Sequence, residues 1–119
     1  MARAGTGLMG SLYRASQIVT ALVDAGVRAT VDPPAIQPPG VLLVPPGLTF
    51  DLACGATARW QLVAIAPAAQ TGDRTSWAIL DDLVESVTAV LDVESADLVA
   101  YTANGRTYPA YLLTFEEAI

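Results

Sequence analysis

Three Pro-Pro pairs lie inside one stretch, DPPAIQPPGVLLVPPGLTFD, from Asp32 to Asp51: Pro33-Pro34, Pro38-Pro39 and Pro45-Pro46. Each proline ring fixes φ, removes an amide donor and holds the preceding residue extended, so helix is excluded here. The stretch predicts an extended loop, a short buried strand over 41–44, a turn at Pro45-Pro46-Gly47 and a second short strand over 48–51. Six of the eight prolines sit in it. The loop over 33–39 should therefore be stiff, lie on the surface and lose little entropy when a partner docks on it.

The flanking segments carry ordinary patterns. Ser11 to Ala25 predicts a helix with Ser11 as N-cap, an apolar stripe of Leu12, Ala15, Val19, Leu22 and Val23, and Gly26 at the C′ position. Val27 to Val31 alternates as a half-buried strand should. The longest predicted strand is Ala56 to Ala66, with Ala58, Trp60, Leu62 and Ala64 on one face and Arg59, Gln61, Val63 and Ile65 on the other. A second helix is expected from Asp73 to about Leu91, its stripe made of Trp77, Leu80, Val84, Val87 and Leu91. Ala96 to Thr102 reads as a strand. Asn104-Gly105 then predicts a two-residue type I′ hairpin that sets Ala103 against Arg106, Thr102 against Thr107 and Tyr101 against Tyr108. Pro109 belongs at a sheet edge or a bulge.

This order gives an α+β domain: a mostly antiparallel sheet of five or six strands with two helices packed on one face. Residues 11–119 form that single domain and residues 1–10 a flexible tail. Tyr111, Leu113, Phe115, Val63 and Ile65 point to a second sheet face that is also partly apolar.

Composition narrows the chemistry. Hydrophobic residues make up 53% of the chain and charged residues 15%. A soluble domain is typically about 25% charged, so some apolar surface here should be covered by another chain. The net charge is −6 and the six basic residues, all arginine, form no basic stripe for gripping phosphates, so sequence-independent nucleic-acid binding is not expected. No histidine is present, which removes Ser-His-Asp and Cys-His sites and most zinc sites. The lone Cys54 beside Gly55 reads as a small residue in a turn, with a reactive thiol as the lesser alternative. Gly5, Gly7 and Gly10 spell G-x-G-x-x-G, but only four residues precede them, too few for the strand that a dinucleotide site needs. Asp81, Asp82 and Glu85 share one helix face and read as its solvated side. No apolar run is long enough to span a membrane, and neither cofactor nor metal is expected. Arg28 and Arg59 lie mid-strand, facing either water or the acids of a neighbouring subunit.

The run ALVDAGVRATVDPPAIQPPGVLLVPPGLTFD, the strand TARWQLVAIAP and the helix WAILDDLVESVTAVLDV resemble tail terminator proteins of long-tailed bacteriophages, especially those infecting actinobacteria. The resemblance covers about residues 11 to 119 in layout and short phrases, including Pro109-Ala110-Tyr111 in the last strand. It implies a virion component without catalytic residues. Such proteins form a hexameric ring on the tail tube, end tube polymerisation and present the surface that joins the head. The implied partners are further copies of the chain, the tube protein and a head-completion or neck protein, and DNA passes through the ring without specific binding. A head-closure or neck protein and a small-molecule-binding domain are the alternatives; the lack of a long hairpin arm argues against the tube protein itself. On this reading Pro33, Pro34, Pro38, Pro39, Arg28 and Arg59 are candidate interface residues. Asp81, Asp82 and Glu85 are the candidate acids of the channel wall.

Overall fold

A computed structural model describes residues 3–33, 38–51, 55–67, 73–103 and 105–118. In chain order the elements are α1 (Arg3–Asp24), β1 (Ala29–Thr30), β2 (Gly40–Asp51), β3 (Gly55–Ile65), α2 (Asp73–Thr88), β4 (Ser95–Ala103) and β5 (Arg106–Ala118). The strands form one five-stranded sheet in the order β1-β2-β3-β5-β4. Only the β1–β2 pairing is parallel. The fold is thus α+β, as expected.

α1 begins at Arg3, inside the segment expected to be a flexible tail, and Ser11 lies within the helix instead of capping it. Extending a formed helix costs far less than starting one, so the turns before Ser11 continue the helix that packs further on. The buried line of α1 is Ala15, Ile18 and Leu22, while Leu12 and Val23 of the expected stripe are exposed. The helix ends in a Schellman motif: Val27 N–H donates to the Leu22 carbonyl and Gly26 N–H to that of Val23, both at 2.9 Å. Gly26 takes φ 89°, which a side chain would resist.

The proline stretch departs from expectation. Only Ala29–Thr30 of the predicted first strand pairs with a neighbour, helped by a 2.8 Å bond from Val41 N–H to the Arg28 carbonyl. Pro45-Pro46-Gly47 does not turn the chain. Residues 40–51 run on as one strand beside β3, with a register shift between Val44 and Gly47. The two missing donors fall inside that irregularity, where the ladder is already broken.

Both helices cover one face. Leu22 and Ile18 of α1 and Val87 and Leu91 near α2 meet Val41, Leu43, Trp60, Leu62, Leu113 and Phe115. The registers Trp60↔Phe115 and Leu62↔Leu113 place Leu113 and Phe115, and with them Tyr111, on this face and not on the second one. The open face carries a smaller cluster in which Leu42, Ile65 and Ala110 are buried among Val44, Val63, Val99, Tyr101 and Tyr108.

α2 stops at Thr88, short of Leu91, yet Leu91 still packs in the core through the turn that follows. Trp77, expected in the core, is 64% exposed, because the inward line of α2 runs through Ser76, Leu80 and Val87. Val87 is fully buried and Val84 only partly. Val87→Asp is therefore expected to destabilise by about 3 kcal/mol or more, and Val84→Asp by roughly 1 kcal/mol. Urea denaturation of the two variants checks this ranking, and the reverse order would rotate the helix.

The hairpin register is as expected, with Ala103↔Arg106, Thr102↔Thr107 and Tyr101↔Tyr108. Gly105 has φ 76°, as a type I′ turn requires at its second position. Pro109 sits in a strand with neighbours on both sides, not at a sheet edge. Its carbonyl accepts from Ala66 N–H at 3.0 Å, so its missing donor also points toward β3, which has ended at Ile65. The proline forgoes only the second bond of that pair, at the point where β3 ends.

Candidate interaction surfaces

Surfaces at two ends of the sheet and along α2 are the functional candidates. At the β1–β2 end, Leu12 and Ala15 of α1 lie beside the proline bulge. Leu12, Ala15, Val31, Leu43, Val44, Pro45 and Pro46 line an apolar groove of about 150 Å³. Leu12 is 64% exposed, so this groove has no lid. At the β4 end, Trp77, Leu80, Leu98, Pro109 and Tyr111 line a second apolar groove of about 290 Å³ with Ser76 at its wall. Leu98 there is 71% exposed. Trp77 gives this surface a large, stiff apolar side chain of the kind that anchors protein contacts.

Arg28, Pro39 and Asp82 meet in a third, more polar groove of about 390 Å³, together with Val27, Ile79, Leu83 and Ser86. The fold thus brings one candidate arginine and one candidate proline beside one of the candidate acids. Asp81, Asp82 and Glu85 are all exposed. Asp81 and Glu85 line a shallow groove with Val84, Ala96 and Tyr111, so the three acids straddle the outer ridge of α2. Pro33 and Pro39 are exposed and Pro38 is half-buried, with a cis bond between Pro38 and Pro39. Pro34 and Cys54 lie outside the described residues.

Arg59 has an acid partner within the chain. It donates from Nη1 to Glu116 Oε2 at 2.9 Å across the β3–β5 register. Both side chains are about half exposed, so the pair adds little stability.

A more consequential constellation was invisible to sequence spacing. Glu117 accepts from Arg14 Nε at 2.8 Å, from Arg14 Nη2 at 3.1 Å and from Trp60 Nε1 at 3.2 Å. One carboxylate thereby ties α1, β3 and β5 together and satisfies the indole N–H of a fully buried tryptophan. The Arg14 guanidinium is held above its ordinary pKa, chiefly by this hydrogen bond and less by charge attraction, against the opposing effect of burial.

Among the described residues, no group of histidine, cysteine, aspartate or glutamate is placed to hold a metal ion. No helix there is long and apolar enough to cross a membrane. No protein-family model and no curated protein matches the chain.

Proposed function

We propose that this chain is a structural assembly subunit, a cap that ends a phage tail tube as a ring and offers a joining surface to the head. The resemblance noted in its sequence supplies the specific role. The observation that carries the assembly reading is the open apolar groove at the proline-bounded end. Leu12, Val31, Pro45 and Pro46 stand there around a volume that no part of the described chain fills. A small domain rarely leaves such side chains uncovered unless another chain covers them. The rigid proline backbone beside it suits docking, since it is already ordered before contact.

Electron microscopy of tube protein assembled with and without this chain tests the reading. Capped tubes of uniform length are expected with it and tubes of indefinite length without it; unchanged length distributions would overturn the reading.

Charge sets a second expectation. Each copy carries −6, and Arg14 and Arg59 are already paired within the chain. Exposed Asp81, Asp82 and Glu85 then repel their counterparts on neighbouring copies, over a range that salt shortens to about 8 Å at physiological ionic strength. Self-association is expected to strengthen from low to moderate salt. Sedimentation velocity across a salt series checks it, and a ring that dissociates as salt rises would point to arginine–acid pairs between subunits.

A further inference from the structure

β4 is the edge strand at one end of the sheet, and among the described strands it pairs with β5 alone. Its direction of hydrogen bonding follows from the hairpin. Ala103 and Arg106 flank a two-residue turn, so Ala103, Tyr101, Val99 and Asp97 bond inward to β5. The Pro109 carbonyl points to β3, which agrees: its partner Ala100 is a non-bonded position of the β4–β5 ladder. The N–H and C=O groups of Ala96, Leu98, Ala100 and Thr102 therefore point outward, along an edge whose residues 95–98, 100 and 102 are exposed.

The two ends of the sheet are not equivalent. The outer side of β2 is partly covered by β1 and is interrupted by Pro45-Pro46 at the register shift. Those are the devices that keep an edge from adding a strand. β4 has no proline and no bulge in its register with β5. The sheet can therefore grow by strand addition at one end only. A single competent edge joins a copy of itself in a two-fold pairing that closes, without running on into a fibre.

We infer that β4 of one copy pairs antiparallel with β4 of a second copy about a two-fold axis at Val99, making a continuous sheet across two chains. This register uses all the outward groups: Leu98 bonds opposite Ala100 of the second copy and Ala96 opposite its Thr102. Asp97 comes to lie opposite Tyr101, so no like charges face each other directly. On the helix side, the exposed Leu98 and its neighbour Trp77 gain apolar cover from the second copy. On the open face, Val99 meets Val99. The pairing goes beyond the capping reading and does not depend on it, since the proline-bounded end stays free.

The test uses the free chain, without tube protein, in a Cys54→Ser background. Directly opposed residues at a non-bonded antiparallel position have Cα atoms about 4.5 Å apart, within the range of a disulfide. Under mild oxidation Val99→Cys is expected to trap a covalent dimer, whereas Thr102→Cys, which faces Ala96, is not. Ala100→Pro removes an outward donor and no β4–β5 bond, so it should keep its fold by circular dichroism. It should also weaken the dimer in sedimentation equilibrium by at least about tenfold. Equal cross-linking of Val99→Cys and Thr102→Cys would overturn the pairing. So would undiminished association of a folded Ala100→Pro chain, or a strictly monomeric parent chain.

Discussion

Trp60→Ala is expected to destabilise the domain by about 3–5 kcal/mol, which is much of the about 5–15 kcal/mol that holds a typical domain together. Trp60 is fully buried at the centre of the helix-covered face. Its ring lies stacked against Phe115, with centroids 6.3 Å apart and an interplanar angle of 16°. Truncation empties the middle of the helix-covered cluster and leaves a cavity that a sheet cannot close by moving. Trp60→Phe keeps most of the volume and should cost less, the remainder being the lost N–H bond to Glu117. Thermal and urea denaturation of the two variants measure the difference. A Trp60→Ala protein as stable as the parent would mean that the core is centred elsewhere.

Glu117→Ala is expected to cost about 2 kcal/mol, mostly by leaving the buried Trp60 N–H without an acceptor. The Arg14 pair adds less, because its guanidinium is partly in water. Glu117→Gln retains an acceptor and should recover most of the loss. Arg14→Ala alone should be mild, and the double variant with Glu117→Ala only slightly worse than the single glutamate change. Such a double-mutant cycle separates the indole bond from the ion pair. The sign of the pH effect on Arg14 is also fixed. Its folded pKa is raised, so its contribution is complete at every pH below the ordinary arginine value and is lost only as pH rises beyond it. Measurements at neutral and mildly alkaline pH should therefore agree on the Arg14→Ala cost.

What the sequence makes legible here is local. The Asn104-Gly105 turn sets the register of the last hairpin, because a two-residue loop leaves no freedom to slip. The alternation around Trp60 identifies the buried side of β3, because strand side chains must alternate. Trp77 misleads for a related reason. In a helix, neighbouring residues lie about 100° apart, and Ser76 rather than Trp77 points inward, with its hydroxyl on the Pro67 carbonyl at 3.4 Å. Pro45-Pro46 misleads because two prolines signal a turn only if no neighbouring strand can hold the chain straight past them; β3 does so here.

The surfaces divide in the same way. The exposure of Asp81, Asp82 and Glu85 follows from helix periodicity alone. Arg59 could not be assigned from spacing, since its acid lies 57 residues away across a strand pairing. Glu117 and Arg14 are 103 residues apart, and only the docking of α1 beside β5 brings them together. The apolar grooves at Pro45-Pro46 and at Leu98 arise where separate elements end, a property of the assembled fold.

The strand order β1-β2-β3-β5-β4 also governs when this protein can acquire its shape. β5, the last strand in chain order, stands between β3 and β4, and β3 touches no other part of that hairpin ladder. During synthesis, everything before Arg106 can form helices and the β2–β3 ribbon, but Trp60 and Leu62 then lie on a ribbon still bare along one side. The sheet closes only when residues 106–118 are available to pair, so the last strand of this sheet to be made is also the one that buries the core. Such a chain has a window of exposure until β5 arrives, when a second nascent copy with the same bare β3 side is the most dangerous neighbour it can meet.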